Sequence, residues 1–302
     1  MRKYLIFLTI GLFSSAGYSE EQLINQANIE TTDTIEVYFS NFEDLCKSEK
    51  WEEIIVIGSI ALEEAKKANR RQDRAKICAQ LTSTAFYLGN YFQALIYAKL
   101  CYRLSKEFDD PTLFLRALYL KSAVHRALAA KCKTAQIQEA LYRRAVKIGE
   151  KAVSIYSRKS VNNINLQGKI YFNLGAAHAD NPKGDLKKAA DCYSIAIECF
   201  RNTNATDDVI RTSLRLGKIH LLQKNYNLSQ QTLDEARPFI ANERLSMHAD
   251  YLEAQLKLAT KNIESAREIA RHGLERAKIL GAKEDELRLT ALLQNIEEFQ
   301  IQ

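Results

Sequence analysis

The chain has 302 residues, of which 46% are hydrophobic and 26% charged, and its net charge is +6. This hydrophobic fraction is ordinary for a globular protein and excludes a wholly disordered chain. Only 11 Gly and 3 Pro are present. Because hairpins and tight crossovers need residues with positive or fixed φ angles, this composition excludes an extensive β-sheet and predicts a mostly helical chain.

The first 19 residues have the layout of a secretory signal peptide. Arg2 and Lys3 form a short positive region, the apolar run 5–13 follows, and small residues come after it. We expect cleavage after Ser19 or after Ala16, and hence a periplasmic or secreted protein. The apolar run is shorter than the ~20 residues of a membrane span, so no stable span is expected after removal of the signal.

Charge is unevenly distributed after this segment. Residues 20–64 carry a net charge of −10, and residues 65–302 carry +14. Such an asymmetry favours an anionic partner or a contact between the two regions, although two solvated faces would give the same pattern. Residues 20–32 contain little to bury and are predicted to be a flexible spacer.

Residues 33–302 read as successive pairs of amphipathic helices. A first pair is predicted at 34–48 and 51–69, with Asp33 as N-cap and Glu36 completing a capping box. Clear units begin near Asp73, Ile164 and Asp207, and a weaker unit begins near Leu252. Helices 113–130 and 136–157 are lengthened, and 285–299 is a single polar-faced helix that closes the last apolar face.

The recurring residues resemble the tetratricopeptide repeat. Leu174-Gly175 and Leu216-Gly217 match its Leu-Gly step, and Tyr171 stands in the position of its Trp. Small residues then recur on the second helices: Ala94, Ala98, Ala189, Ala196 and Ala236. The resemblance implies an all-α, right-handed superhelix (α-solenoid) of about five to six helix pairs with a C-terminal capping helix. It implies little about function, because this fold serves many functions.

The six cysteines do not form the pattern of a disulfide framework. There is no CxxC pair, and no Cys/His spacing fits a zinc site. Cys78 and Cys101 are the one pair that antiparallel helix packing brings near each other. We expect the protein to fold without a disulfide, because helix pairs bury enough apolar surface to hold the array.

No catalytic motif is present: the sequence lacks a nucleophile elbow, a zinc-protease helix, a Walker loop and a dinucleotide-binding loop. His178 and His220 occupy equivalent repeat positions, but two histidines without a third ligand make a poor metal site, so we interpret them as core residues. No enzymatic activity, cofactor or metal is predicted.

Two stretches of the sequence are rich in basic residues and are candidate binding sites for anions. We interpret them first as solvated helix faces and second as sites for an acidic protein or an envelope polyanion, and we expect no nucleic-acid partner for an exported chain. The stretches are Lys66, Lys67, Arg70, Arg71, Arg74 and Lys76, and further on Lys131, Lys133, Arg143, Arg144, Lys147, Lys151, Arg158 and Lys159.

We predict an exported scaffold or adaptor that binds a protein or peptide, with acidic and apolar anchors, in a concave groove. The resemblance implies that this groove is lined mainly by the first helix of each pair. The alternative is a structural envelope subunit that assembles with copies of itself through its charge asymmetry. The candidate groove residues are Lys76, Ala79, Ser83, Phe86, Lys169, Phe172, Ala176, Arg211, Leu214 and Lys218.

Overall fold

The computed structural model describes residues 33–159 and 161–301, so the predicted signal peptide and spacer lie outside the described residues. Within these ranges the chain forms thirteen α-helices and no β-strand. Two short 3-10 turns follow α4 and α10, at Ser105–Glu107 and Arg237–Phe239. The helices are α1 (Thr34–Lys47), α2 (Trp51–Lys67), α3 (Arg71–Tyr87), α4 (Tyr91–Leu104), α5 (Pro111–Lys131), α6 (Ala135–Arg158), α7 (Ile164–Ala179), α8 (Leu186–Arg201), α9 (Thr206–Leu222), α10 (Tyr226–Ala236), α11 (Glu243–Ala259), α12 (Ile263–Ile279) and α13 (Lys283–Ile301).

This order confirms the predicted all-α, tetratricopeptide-like solenoid. The described helices make six consecutive pairs, and α13 follows as the single terminal helix. The two helices predicted to be lengthened are α5 and α6, with 21 and 24 residues. The chain divides into two compact units inside α3: residues up to 77 belong to unit 1, and residues from 78 belong to unit 2.

Unit 1 has a small apolar core and one arginine that binds three carboxylates. The Arg70 guanidinium donates to Glu36 and to Asp73, both at 2.7 Å, and it also pairs with Asp33. Hydrogen bonds to Glu36 and Asp73 raise the pKa of Arg70. Asp33 accepts a hydrogen bond from the N–H of Ile35, which confirms the predicted N-cap. Glu36, the predicted second member of the capping box, is bound by Arg70.

Seven turns between helices share one backbone conformation. After the helix end, one residue adopts a left-handed φ, and the next N–H returns to a carbonyl of the last helical turn, as from Asn90 to Ala85 at 2.9 Å and from Asn262 to Lys257 at 2.8 Å. This is the Schellman arrangement, which satisfies carbonyls that the helix end leaves unpaired. The left-handed residues are Glu49, Asn69, Gly89, Asn204, Lys224, Lys261 and Gly281.

Small residues lie where the helices of unit 2 cross most closely. Ala94, Ala98, Ala189 and Ala196 are completely buried, as the repeat pattern predicted. Gly175 of the Leu-Gly step is tightly packed, because a Cβ there would lie 3.0 Å from the Tyr193 ring and 3.1 Å from Cβ of Cys192. The Leu-Gly step is therefore a packing requirement in this chain: it lets α8 approach the backbone of α7.

No disulfide joins any of the six cysteines, all of which lie in the described residues. Cys78 and Cys101 are both completely buried. Burial raises the pKa of the Cys101 thiol to about 12 and that of the Cys192 thiol to about 11. Thiols with such pKa values are protonated at neutral pH, so Cys101 and Cys192 serve as small buried hydrophobes.

Gly168→Ala is expected to destabilise unit 2. The added methyl group would lie 2.7 Å from the ring of Phe200, a side chain that is 2% exposed. Overpacking costs ~1–3 kcal/mol and replacement of a helical glycine returns about 1, so we expect a net loss of up to about 2 kcal/mol. Thermal unfolding of the variant should show a fall in Tm of several °C.

The matched control places the same change in a Phe200→Leu background, where the ring is absent. There Gly168→Ala should be neutral or slightly stabilising. An equal loss in both backgrounds would contradict the packing explanation, since the interaction between neighbouring sites is what this cycle measures.

Candidate protein-binding surface

Side chains from the first helices of successive pairs contact one another across unit 2. We call this the first-helix surface; it is carried by the first helices α5, α7, α9 and α11 and by the terminal helix α13. Its charged and aromatic members repeat at helical spacing along α7 and α9, so that each set lies on one face of its helix. The members are Arg116 and Arg126 (α5), Lys169, Phe172 and Asp180 (α7 and its C-cap), Asp208, Arg211, Arg215 and Lys218 (α9), Tyr251 (α11), and Asp285 and Arg288 (α13).

Asp180 is the centre of this surface. Its carboxylate accepts a hydrogen bond from Arg126 of α5 and another, at 3.2 Å, from Arg215 of α9. Its side chain is 23% exposed. Although burial acts to raise it, the charges of Arg215 and Arg126 lower the pKa of Asp180 to about 2. One carboxylate thus joins three successive first helices.

The contacts continue towards the C-terminal helices. The Lys218 ammonium lies 6.0 Å from the centroid of the Tyr251 ring on α11. On the same helix, Nε2 of His248 lies 3.6 Å from Oδ1 of Asp285 on α13. The charge of Asp180 raises the pKa of Arg215, and the charge of Asp285 contributes to the same shift. The surface is therefore continuous from α5 to α13.

Cations outnumber carboxylates on this surface, and two lysines are poorly hydrated. Burial lowers the pKa of Lys169, and the charges of Arg116 and Arg211 lower it further, while Asp208 opposes them. Burial likewise lowers the pKa of Lys218, assisted by Arg215 and Arg288 against Asp180. Both lysines have more cationic than anionic neighbours, which makes a carboxylate from a ligand electrostatically favourable.

Four of the sequence-predicted groove residues belong to this surface: Lys169, Phe172, Arg211 and Lys218. Phe172 is half-buried, and its ring centroid lies 5.9 Å from that of Tyr193. Arg211 donates to Asp208 at 2.6 Å, so its charge is partly neutralised in place. All four lie on the adjacent first helices α7 and α9, where the charges of Lys169 and Arg211 interact.

Three other predicted groove residues are core residues. Ala79 and Ala176 are completely buried and Leu214 is 5% exposed, so they present almost no accessible surface to a ligand. Leu214 packs with Leu233 and Leu252 in the core between α9, α10 and α11.

The remaining three predicted residues lie on α3. Lys76 is exposed in unit 1, with its ammonium 3.8 Å from the Asp73 carboxylate. Ser83 donates to the carbonyl of Ala79 at 3.3 Å, and the Phe86 ring packs edge-on against Tyr91 at 5.4 Å. None of these three takes part in the contacts that define the first-helix surface.

Sequence reasoning missed the residues that organise the surface. Arg215 lies four residues after the predicted Arg211 and three before the predicted Lys218, so helical spacing alone would have placed it on their face. Asp180 and Arg126 gave no comparable signal, because they are 54 residues apart and meet only through the packing of α5 beside α7.

Within the described ranges, no group of three His, Cys, Asp or Glu side chains is arranged to hold a metal ion. His178 is 7% exposed and packs as a core residue, and burial lowers the pKa of both His178 and His220. Among the described helices, none combines the length and apolar character needed to cross a membrane.

Solved structures with the same fold include several proteins of the Rap group. The apo form of RapI aligns with a TM-score of 0.57 at 14% identity, over 87% of this chain and 97% of that one. A Rap protein complexed with competence and sporulation factor gives 0.63 at 13% identity, over 91% and 78%. Aspartyl phosphate phosphatase F from Bacillus subtilis gives 0.59 at 13% identity, over 88% and 70%. At these identities the similarity shows the fold alone. No protein-family model and no curated protein matches this chain.

Asp180→Asn is expected to remove an acid-sensitive part of the stability. The pKa of Asp180 is about 2 in the folded protein and ~3.9 in an unfolded chain. Because the folded value is the lower one, this contribution is fully present above pH ~4 and is lost as pH falls towards 2. The variant should therefore be less stable by roughly 2 kcal/mol near pH 6, and the difference should narrow as the pH is lowered.

Urea unfolding between pH 6 and pH 3 measures this difference. Asp191→Asn is the matched control, because Asp191 is exposed on α8 and should give a small effect at every pH. If Asp180→Asn lowers the free energy of unfolding by the same amount at every pH in this range, the ion pairs of Asp180 do not supply an acid-sensitive contribution to stability.

Proposed function

We propose that this chain is a binding protein without catalytic activity, and that it holds a protein or peptide partner on the first-helix surface. The partner carries carboxylates beside apolar side chains. The observation that carries the proposal is the excess of cations over carboxylates on this surface, which includes the half-buried lysines Lys169 and Lys218. A carboxylate bound beside either lysine would offset the cost of holding like charges in a partly buried site.

Aromatic side chains beside these lysines support a site that binds both apolar and acidic side chains of a partner. Phe172 is half-buried one helical turn from Lys169, and Tyr251 lies against Lys218. An incoming apolar side chain could pack on either ring while a neighbouring carboxylate reaches the ammonium groups. Interfaces of this type use apolar contacts for affinity and charge complementarity for specificity and association rate.

The structural comparisons support a binding role at a coarser level. One solved structure of the same fold is described as a Rap protein complexed with competence and sporulation factor, that is, as a helical-repeat protein with a bound partner. Another is described as an aspartyl phosphate phosphatase. We propose that this chain has no such activity, since its sequence carries no motif with a known catalytic mechanism.

We further propose that the protein acts outside the cytoplasm. The support is the N-terminal sequence, in which Arg2 and Lys3 precede an apolar run and then small residues. An exported location fits a partner that is an envelope or secreted protein, or a peptide derived from one.

Neutralising three cations of the surface should weaken partner binding. Random peptides displayed on phage and selected on the parent protein at low salt should become enriched in Asp or Glu next to Leu, Ile or Phe. For the enriched peptides, the variant Lys169→Gln/Arg211→Gln/Lys218→Gln should bind about tenfold or more weakly, because each lost charge pair contributes to the complex. Fluorescence anisotropy of labelled peptides measures the affinities.

The control variant is Lys187→Gln/Arg201→Gln/Lys278→Gln, which removes the same charge from exposed positions on α8 and α12. Its affinities should match those of the parent, and far-ultraviolet circular dichroism should be the same for all three proteins. If both triple variants lose affinity equally, only the net charge matters and the first-helix surface is not the binding site.

Export predicts a shortened mature chain. When the gene product is expressed in its native cells, the intact mass of the envelope or secreted form should correspond to a start at Glu20 or Gly17. Replacing residues of the apolar run 5–13 by Asp should trap the full-length precursor in the cytoplasm. An unprocessed chain that stays in the cytoplasmic fraction of wild-type cells would refute this part of the proposal.

A further inference from the structure

A second group of cations surrounds Tyr102, on residues that the first-helix surface does not use. Nζ of Lys106 lies 4.4 Å from the centroid of the Tyr102 ring, and Nζ of Lys121 lies 4.1 Å from the same centroid. Tyr102 itself is fixed by stacking on Phe114, with ring centroids 5.6 Å apart and planes inclined by 27°. Two ammonium groups are thus held at one rigid aromatic ring.

Three further cations lie close enough to shift the pKa of Lys121 or of Tyr102. Burial lowers the pKa of Lys121, and the charges of Arg144, Lys106 and Lys99 lower it further, while Tyr102 opposes them. At the phenol, hydrogen bonding to Lys106 and the charge of Lys151 lower the pKa of Tyr102 although burial acts to raise it. We call the set Lys99, Lys106, Lys121, Arg144 and Lys151 the Tyr102 cluster. It is drawn from α4, the 3-10 turn after it, α5 and α6.

The Tyr102 cluster contains five cations and no acid. Elsewhere, exposed lysines such as Lys47 and Lys66 pair with a carboxylate one helical turn away. Within the described residues, no member of the Tyr102 cluster has a carboxylate oxygen within 4.0 Å of its charged nitrogens. The cation–π contacts offset only part of the repulsion among five like charges.

We propose that the Tyr102 cluster is a binding site for a small, multiply charged phosphate compound. A single carboxylate would neutralise only one of the five cations. A chain of linked phosphates carries several negative charges within a few ångströms, which matches a cluster built around one ring. Four of the five cations are lysines, which bind phosphate oxygens as compact point charges and need no bidentate geometry.

The proposal is tested with inorganic triphosphate as the probe. Isothermal titration of the purified protein at low salt should give saturable binding, with orthophosphate much weaker at equal concentration. The variant Lys106→Gln/Lys121→Gln should bind triphosphate about tenfold or more weakly, because two charge-assisted contacts are lost. Lys187→Gln/Lys278→Gln removes the same charge from exposed sites and should bind as the parent does.

A second readout does not depend on the heat of binding. The phenol of Tyr102 should ionise at higher pH in the presence of triphosphate, because the bound anion neutralises the ammonium groups that favour the phenolate. Ultraviolet absorbance titration follows this change, and Tyr102→Phe identifies the signal. Should the double variant fail to fold, Lys106→Gln alone serves, because Lys106 is exposed.

Three outcomes would overturn the proposal. One is equal triphosphate affinity in the parent and in Lys106→Gln/Lys121→Gln. Another is equal affinity for triphosphate and orthophosphate, which would indicate unselective charge attraction. The third is that the parent sediments with phosphatidylglycerol vesicles, that the double variant does not, and that triphosphate does not bind. The cluster would then be a binding site for an anionic membrane surface.

Discussion

The ion pairs of Asp180 are the interaction on which the first-helix surface of unit 2 depends. Asp180 lies at the C-cap of α7, where the helix dipole is negative and a carboxylate is unfavourable by itself. Arg126 and Arg215 compensate for this from the two neighbouring first helices. Because the three groups are partly buried, removing any one of them leaves a charge without its partner, and so the pairing fixes how α5, α7 and α9 present their side chains.

The all-α solenoid could be predicted from the sequence because its determinants are local and periodic. The scarcity of Gly and Pro excluded a sheet, and the recurring small residues marked the helix crossings. Gly175 illustrates the link: its match to the Leu-Gly step was visible in the sequence, and the structure supplies the reason in the 3.0 Å approach of the Tyr193 ring. The seven Schellman turns were less visible, since Glu49, Lys224 and Lys261 carry no left-handed preference.

The first-helix surface could be predicted only in part, because first helices are buried on most of their circumference. Helix α7 has buried residues at nearly every position from Asn173 to His178, and such a helix gives no clean amphipathic period. Which residues of α7 are exposed then depends on which helices flank it. The prediction therefore included Ala176 and Leu214, which face the core, and omitted Arg215, which lies on the surface.

The excess positive charge of the chain is divided between two arrangements with different chemistry. On the first-helix surface, Asp180, Asp208 and Asp285 neutralise part of the charge and hold the cations in a defined pattern over several helices. This pattern suits a ligand whose carboxylates are spaced along a chain. The Tyr102 cluster has no such internal acids and is compact, so a ligand must supply the negative charge at one place. Added salt should weaken both interactions, but the cluster more steeply, because more of its charge is uncompensated within the protein.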